Sequence, residues 1–234
     1  MISKRLAKII NDINNILLPK VCFGCNTRLS RGEHVLRTVC RHELPLTDYN
    51  FTKENAVDRI FYGRTPIKKA SSFLFFTKNG MVKNLMHQLK YKKQEDIGAF
   101  FGDWYGSLMK EENALHHIDA VVPVPLHPKK EKKRTYNQVS LFAKQIAEHL
   151  QVDFAPELLI RIKNTKTQTK KDRQLRWENI QDAFESNPSK NKEYRHILLV
   201  DDVITTGATL EACTKALSQL PAIEISVASM AVVE

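Results

Sequence analysis

The sequence predicts an α/β fold: a mostly parallel sheet flanked by helices, with a small appendage at its amino-terminal side. Three stretches predict it. Residues 197–200 form a short apolar run that reads as a buried strand, and residues 210–217 resume at helical spacing after a polar bend. Residues 118–122 read as a second buried strand running into Pro123-Val-Pro125-Leu-His-Pro128, and apolar residues return at helical spacing through Val139, Phe142 and Ile146. Near the front, Cys22-Phe-Gly-Cys25 marks a unit of a different kind.

A chain of 234 residues suits one α/β domain of ordinary size plus a small appendage. Residues 45–60 hold Pro45, Asp48, Asn50 and Asn55 with little periodicity, so the boundary is placed there. Residues 1–55 are then an N-terminal helix and zinc-knuckle-like segment, and residues 56–234 the main domain. Apolar runs fall far short of the roughly 20 residues that cross a bilayer, so stable membrane insertion is not expected. Four scattered cysteines argue against a disulfide framework and favour a cytoplasmic location. The formal charge of +10 and pI near 9.4 favour polyanionic partners, a description that both a phosphorylated sugar and a nucleic acid satisfy.

Taken in order, Ile2, Leu6, Ile9, Ile13 and Ile16 make one apolar stripe on a helix that ends before Pro19, read as a docking helix. Cys22 and Cys25 are spaced to grip one tetrahedral zinc ion, with Cys40 at zinc-finger distance as a candidate third ligand and His34 and His42 the nearest candidates for a fourth; the alternative is a pair of free thiols. Phe61-Tyr-Gly-Arg-Thr-Pro66 reads as a turn, residues 70–76 as a strand ending at Asn79-Gly80, and residues 81–89 as a helix. His87-Gln-Leu-Lys-Tyr-Lys-Lys93 closes that helix with cations, which suit the negative end of a helix dipole as well as a phosphate. Residues 100–109 form a further amphipathic helix.

After residues 118–122 the prolines are expected to stop the strand ladder. Lys129, Lys130, Lys132, Lys133 and Arg134 then concentrate positive charge, as a pyrophosphate site requires. Arg134, Asn137 and Gln138 combine a bidentate donor with amides at the start of a helix and are the stronger ligand candidates, with Tyr136 between them. Residues 161–176 are basic, threonine-bearing and without an apolar stripe, so they are expected to form a mobile loop able to close over a substrate. Cys213 reads as a small buried packing residue, and residues 222–233 as the final strand.

The chemistry concentrates between residues 201 and 209. Asp201 and Asp202 stand at the carboxyl end of a buried strand, where carboxylates can accept hydrogen bonds from two sugar hydroxyls. Thr205, Thr206, Gly207, Ala208 and Thr209 follow with hydroxyls and backbone amides turned inward at a helix start, a phosphate site. Together they would hold a ribose 5-phosphate. No Gly-x-x-x-x-Gly-Lys-Ser/Thr or Gly-x-Gly-x-x-Gly string occurs, which disfavours a Walker-type or dinucleotide-binding site.

This run resembles the 5-phosphoribosyl-1-pyrophosphate (PRPP) motif of type I phosphoribosyltransferases. The resemblance implies a type I phosphoribosyltransferase-like sheet, with Asp201 and Asp202 as catalytic residues on the ribose hydroxyls and the following bend on the 5-phosphate. Cys-x-x-Cys at the front, Phe61-Tyr-Gly-Arg, His87-Gln-Leu-Lys-Tyr-Lys, Val122-Pro-Val-Pro-Leu, Arg134-x-Tyr-Asn-Gln, Arg176-x-x-Asn-x-x-x-Ala-Phe184 and this bend, in that order, further resemble the ComF family of competence-associated phosphoribosyltransferase-like proteins. That resemblance implies Mg2+ together with PRPP, structural Zn2+, and transfer of a phosphoribosyl group with release of pyrophosphate. It also implies a link to DNA uptake, with single-stranded DNA and DNA-uptake proteins as partners. The other reading is a non-catalytic single-stranded nucleic-acid-binding protein that uses the fold as a ligand-binding or regulatory module. Two positions depart from the family pattern: Arg37 stands where a cysteine is expected, and Thr135 where the family usually has glycine.

Overall fold

A strand covered on both faces is apolar at every position, and Ile197, Leu198, Leu199 and Val200 are all fully buried. The computed structural model describes residues 20–163 and 182–233. Its main sheet contains β1 (Ala70–Phe76), β2 (Ala120–Pro123), β3 (Asp153–Phe154), β6 (His196–Ile204) and β7 (Glu224–Val233), all parallel, in the order β1-β7-β6-β2-β3. The remaining strands, β4 (Leu159–Arg161) and β5 (Phe184–Ser186), form an antiparallel pair of their own.

Seven α-helices lie among the described residues: α1 (Thr38–His42), α2 (Ala56–Phe61), α3 (Met81–Tyr91), α4 (Asp96–Glu112), α5 (Pro128–Arg134), α6 (Ser140–Leu150) and α7 (Ala208–Leu217). One face of the sheet is covered by α3, α4 and α6 through Leu85, Leu89, Phe101, Phe142 and Ile146. The other is covered by α2, α7 and the β4–β5 pair through Val57, Phe61, Leu210, Leu217 and Phe184. From β2 the chain crosses through α6 to β3 at one edge; from β6 it crosses through α7 to β7 in the opposite direction. The crossovers therefore diverge between β2 and β6. At such a switch point the carboxyl ends of two neighbouring strands open a crevice.

The crevice wall depends on a close helix contact. Gly98, Gly102 and Gly106 recur every fourth residue along α4 and let α6 approach backbone to backbone. A Cβ at Gly102 would lie 2.5 Å from the carbonyl oxygen of Phe142 and 2.9 Å from its Cα. Because Gln138 lies just before the Val139 cap of α6, this contact helps to place Gln138 as well as the core.

Several elements differ from expectation. Residues 45–60, read as an aperiodic boundary, hold all but the last residue of α2, which is started by a capping box: the Asn55 side chain accepts from the Val57 and Asp58 amides, and Asp58 Oδ2 accepts from the Asn55 amide at 3.0 Å. Asp58 Oδ1 also accepts from the Ala70 amide at 2.8 Å, tying α2 to the start of β1. The lysine run is part of a helix, α5, with Pro128 at its first turn and the His127 ring accepting from the Lys129 amide. The strand through residues 197–200 continues to Ile204, so both aspartates lie inside it.

The ladder ends within the prolyl stretch: Pro123, the last residue of β2, pairs with Val200, and the Val124 amide donates to the Val200 carbonyl at 2.8 Å. Arg161, expected in a loop, is the last residue of β4 opposite Phe184. The N-terminal apolar stripe and most of the basic segment fall outside the described residues. Residues 45–47 run along the β1 edge, where Thr47 donates to Phe73 and Phe75 to Pro45, covering an edge that would otherwise be open to another chain. Among the described residues no helix is long and apolar enough to cross a membrane.

Substituting Gly102→Ala should force α4 and α6 apart and destabilise the fold by about 1–3 kcal/mol. Urea titration would register this as a lower midpoint at unchanged slope; an unchanged midpoint would show that the helices have room to spare.

Candidate functional site at the carboxyl edge of the sheet

The sheet brings two of its central strands to one edge, and the loops after them supply the polar groups. Asp202, near the end of β6, accepts a hydrogen bond from Gln138 Nε2 at 2.7 Å and an ion pair from Lys90 Nζ at 2.9 Å, both on Oδ2. Gln138 Oε1 in turn accepts from Arg134 Nη1 at 2.7 Å. The Arg134 guanidinium lies 5.3 Å from the centroid of the Tyr91 ring. A connected path thus runs from an exposed aromatic ring through guanidinium and amide to a carboxylate in the crevice.

Asp201 occupies the adjacent position, its Oδ1 accepting from the Asp202 amide at 2.8 Å. Burial, and then the neighbouring Asp202 charge, push its carboxyl up to about 7; the charges of Lys90 and Arg161 pull the other way. The two acids are therefore unequal. Asp202 has a cation and an amide donor on one oxygen, while Asp201 is held near the point where it carries a proton at neutral pH.

After Ile204 the chain bends into α7. Gly207 adopts φ +78°, and a Cβ there would lie 2.8 Å from Phe61 Cε1 and 3.0 Å from Ile60 Cγ2. Glycine is required on both counts. The bend is fastened by Arg64, whose Nη1 donates to the carbonyls of Ile60 at 2.8 Å and Thr206 at 2.9 Å and whose Nε sits 2.5 Å from Glu211 Oε1 on α7. Thr205 and Thr206 are exposed, Ala208 and Thr209 partly so. The amides of Thr205, Thr206 and Gly207 find no acceptor among the described residues. Such amides, at the start of a helix, are the donors a phosphate takes.

Of the remaining expected ligands, Arg134 and Gln138 join the path to Asp202. Asn137 is engaged by the protein: its Nδ2 donates to the Val124 carbonyl at 3.0 Å and its Oδ1 accepts from the Val139 amide at 3.2 Å. It pins the loop after β2 to the start of α6. The Tyr136 hydroxyl donates to the Leu89 carbonyl, joining the same loop to α3. Thr135 has φ +74°, a conformation that glycine would adopt freely and a β-branched residue resists. Lys129 and Lys132 are exposed on α5. Lys90 and Arg64 were not among the expected site residues, although the strings His87-Gln-Leu-Lys-Tyr-Lys and Phe61-Tyr-Gly-Arg contain them.

A second cluster lies in the appendage. The Sγ atoms of Cys22, Cys25 and Cys40 are all within 4.8 Å of one another, a spacing that one tetrahedral ion could bridge. His34 and His42 do not join the group. Arg37 does: its amide donates to Cys22 Sγ at 3.3 Å, and its guanidinium lies 3.9 Å from Cys25 Sγ. Hydrogen bonds from Thr27, with Cys40 and Arg37 adding to them, draw the Cys25 thiol down to about 6, whereas burial pushes Cys40 up to about 12. The cluster shares the core of the larger fold, for Cys22 and Cys40 pack with Leu36 and Leu44 against it, and the Phe23 carbonyl accepts from Gln88 of α3.

Residues 140–232 match the phosphoribosyl transferase domain. Competence protein F of Haemophilus influenzae is 37% identical over 151 residues, covering 63% of this chain and 66% of that protein. Competence protein ComFC of Bacillus subtilis is 28% identical over 199 residues, covering 85% of this chain and 78% of that protein. The chain belongs to the ComF family. A DNA utilization protein, YhgH of Salmonella typhimurium, is 29% identical over 130 residues, covering 54% of this chain and 56% of that protein. The chain thus spans just under two thirds of the Haemophilus relative and more than three quarters of the Bacillus one. In this ComF-family chain the matched domain contains both aspartates and the bend after them, while Lys90, Arg64 and Arg134 reach the site from outside it.

The raised Asp201 carboxyl makes a stability prediction with a definite sign. In the unfolded chain an aspartate ionises near pH 4, whereas in the fold Asp201 keeps its proton to about 7. Unfolding between those values releases a proton, so Asp201 lowers stability progressively as pH rises through that window and by a constant amount above it. The variant Asp201→Asn should gain stability relative to the parent from pH 4 to pH 7 and hold the gain at pH 8, measured by denaturant titration of both proteins. A difference that does not change with pH would contradict the assignment.

Proposed function

We propose that the crevice at the carboxyl ends of β2 and β6 binds PRPP or another phosphorylated ribose, and that the protein is a phosphoribosyltransferase-like component of DNA uptake. The observation that carries this is a glycine bend whose Thr205, Thr206 and Gly207 amides have no acceptor among the described residues, shortly after two consecutive aspartates near the end of β6. The competence and DNA utilization names of the relatives support the second half of the reading.

The reaction such a site suits is displacement of pyrophosphate from the anomeric carbon. An oxocarbenium-like centre needs positioning and charge more than a nucleophilic side chain. Asp201 and Asp202 would hold the ribose hydroxyls, the bend from Thr205 to Thr209 would hold the 5-phosphate, and Arg134 would bear on the pyrophosphate side. Magnesium, carried on the pyrophosphate, would neutralise the departing charge. In the appendage Cys22, Cys25 and Cys40 would hold zinc, with Arg37 taking the place of a fourth ligand and balancing the charge of three thiolates.

A second reading, direct contact with single-stranded nucleic acid, is favoured by one patch. The exposed Tyr91 ring is flanked by His87 at 5.1 Å and Arg134 at 5.3 Å, and Lys92, Lys93, Lys129 and Lys132 are exposed on the segments that border it. Aromatic faces set among cations are what unpaired bases stack on. Oligonucleotide affinity that falls steeply with salt and survives loss of both aspartates would set this surface apart from the sugar-phosphate site.

The double substitution Asp201→Ala, Asp202→Ala should abolish calorimetric binding of PRPP in magnesium buffer while the protein stays folded. Unchanged affinity would remove the proposal.

A further inference from the structure

Two neighbouring carboxyl groups could in principle serve a divalent cation as readily as a sugar diol, and the choice decides how magnesium reaches the site. Asp202 lies in a crevice with its side chain 11% exposed, and the Lys90 ammonium sits 2.9 Å from its Oδ2 with a side chain 23% exposed. The same oxygen accepts the Gln138 amide N–H at 2.7 Å. That amide cannot turn round to offer its oxygen. Arg134 Nη1 donates to Gln138 Oε1 at 2.7 Å, and a guanidinium only donates, so Gln138 is locked with its NH2 toward Asp202. A metal ion needs acceptor oxygens facing it. Asp202 instead faces a cation and a fixed donor.

Resting on the reading of this crevice as a sugar-phosphate site, we infer that Lys90 is the chain's own counter-ion for Asp202. It reserves the acid pair for the hydroxyls of a phosphorylated pentose and keeps a free divalent cation off it. Magnesium then arrives on the ligand's phosphates and not ahead of them. Lys90 acts here as a positioning and specificity residue. Its place is held from three sides: α3 carries it, the Tyr136 hydroxyl fastens the carbonyl of the preceding Leu89, and the Arg134 guanidinium covers the ring of the following Tyr91. The burial of Asp201 beside it works in the same direction, because a buried carboxyl that shares a site with another acid tends to keep its proton and is a poor metal ligand.

The experiment uses the full chain and two probes, Mn2+ followed by electron paramagnetic resonance and ribose 5-phosphate followed by calorimetry. The parent should show no Mn2+ site that depends on Asp202. Replacing the ammonium with a neutral side chain of similar length, Lys90→Met, should create one, at least tenfold tighter than in the parent and lost again in the Lys90→Met, Asp202→Asn double variant. Lys90→Gln, which keeps polarity at the site, should behave in the same way and stands in should the Met variant fail to fold. Ribose 5-phosphate should bind the parent in EDTA within about threefold of its affinity in magnesium, since Asp202 is already neutralised. In Lys90→Met its affinity in EDTA should fall several-fold and be restored in part by magnesium.

An Asp202-dependent Mn2+ site in the parent would overturn the inference. So would folded Lys90 variants that take up no Mn2+. Failure of ribose 5-phosphate to bind parent or variants would instead defeat the sugar-phosphate reading, an outcome that the manganese titration alone cannot produce.

Discussion

Two helical segments and the central strand of this sheet meet at the carboxylate of Asp202. Lys90 comes from α3, Gln138 from just before α6, and Asp202 itself from the central strand, so one oxygen ties together three elements well apart in the chain. The contact is informative because it is expensive to misplace. A partly buried carboxylate without partners costs several kcal/mol, so the helices that carry its partners must hold their positions. The glycine stripe on α4 and the loop pins made by Asn137 and Tyr136 are the means by which they do.

The two acids divide the work between them. Asp202 is the member paired with Lys90 and Gln138, and Asp201 is the neighbour that burial and repulsion hold near its proton. The bend after them adds backbone donors in a direction fixed by Arg64 and by a glycine that no other residue could replace without displacing Phe61. Under the proposed reading, diol and phosphate recognition would fall on neighbouring segments of one βα unit.

The strand and bend were legible for a physical reason: an unbroken apolar run marks a buried strand, and small residues with a glycine mark the tight turn from it into a helix. The parallel sheet was legible too, since strands buried on both faces leave unbroken apolar runs such as residues 197–200. What the sequence concealed was tertiary. Lys90 looked like a helix-closing cation because nothing in its own segment reveals Asp202 opposite it, and Arg64 looked like part of a turn because its partners lie on α7. Helix α2 was missed although Asn55 and Asp58 form a capping box, the local signal being too short to outweigh the prolines and asparagines before it. Arg37 and Thr135 were visible as departures from the family pattern; their consequences, a guanidinium against the thiols and a left-handed β-branched residue, needed coordinates.

The central claim is that the acid pair and the glycine bend cradle a phosphorylated pentose. Backbone amide resonances report on it most directly, because each donor in the bend can be followed separately by 15N–1H NMR. Adding ribose 5-phosphate should shift the amides from Thr205 to Thr209 strongly and saturably, with smaller shifts at Asp202 and Gln138. Shifts confined to the lysine-rich α5 or to the appendage, with the bend unmoved, would contradict the account.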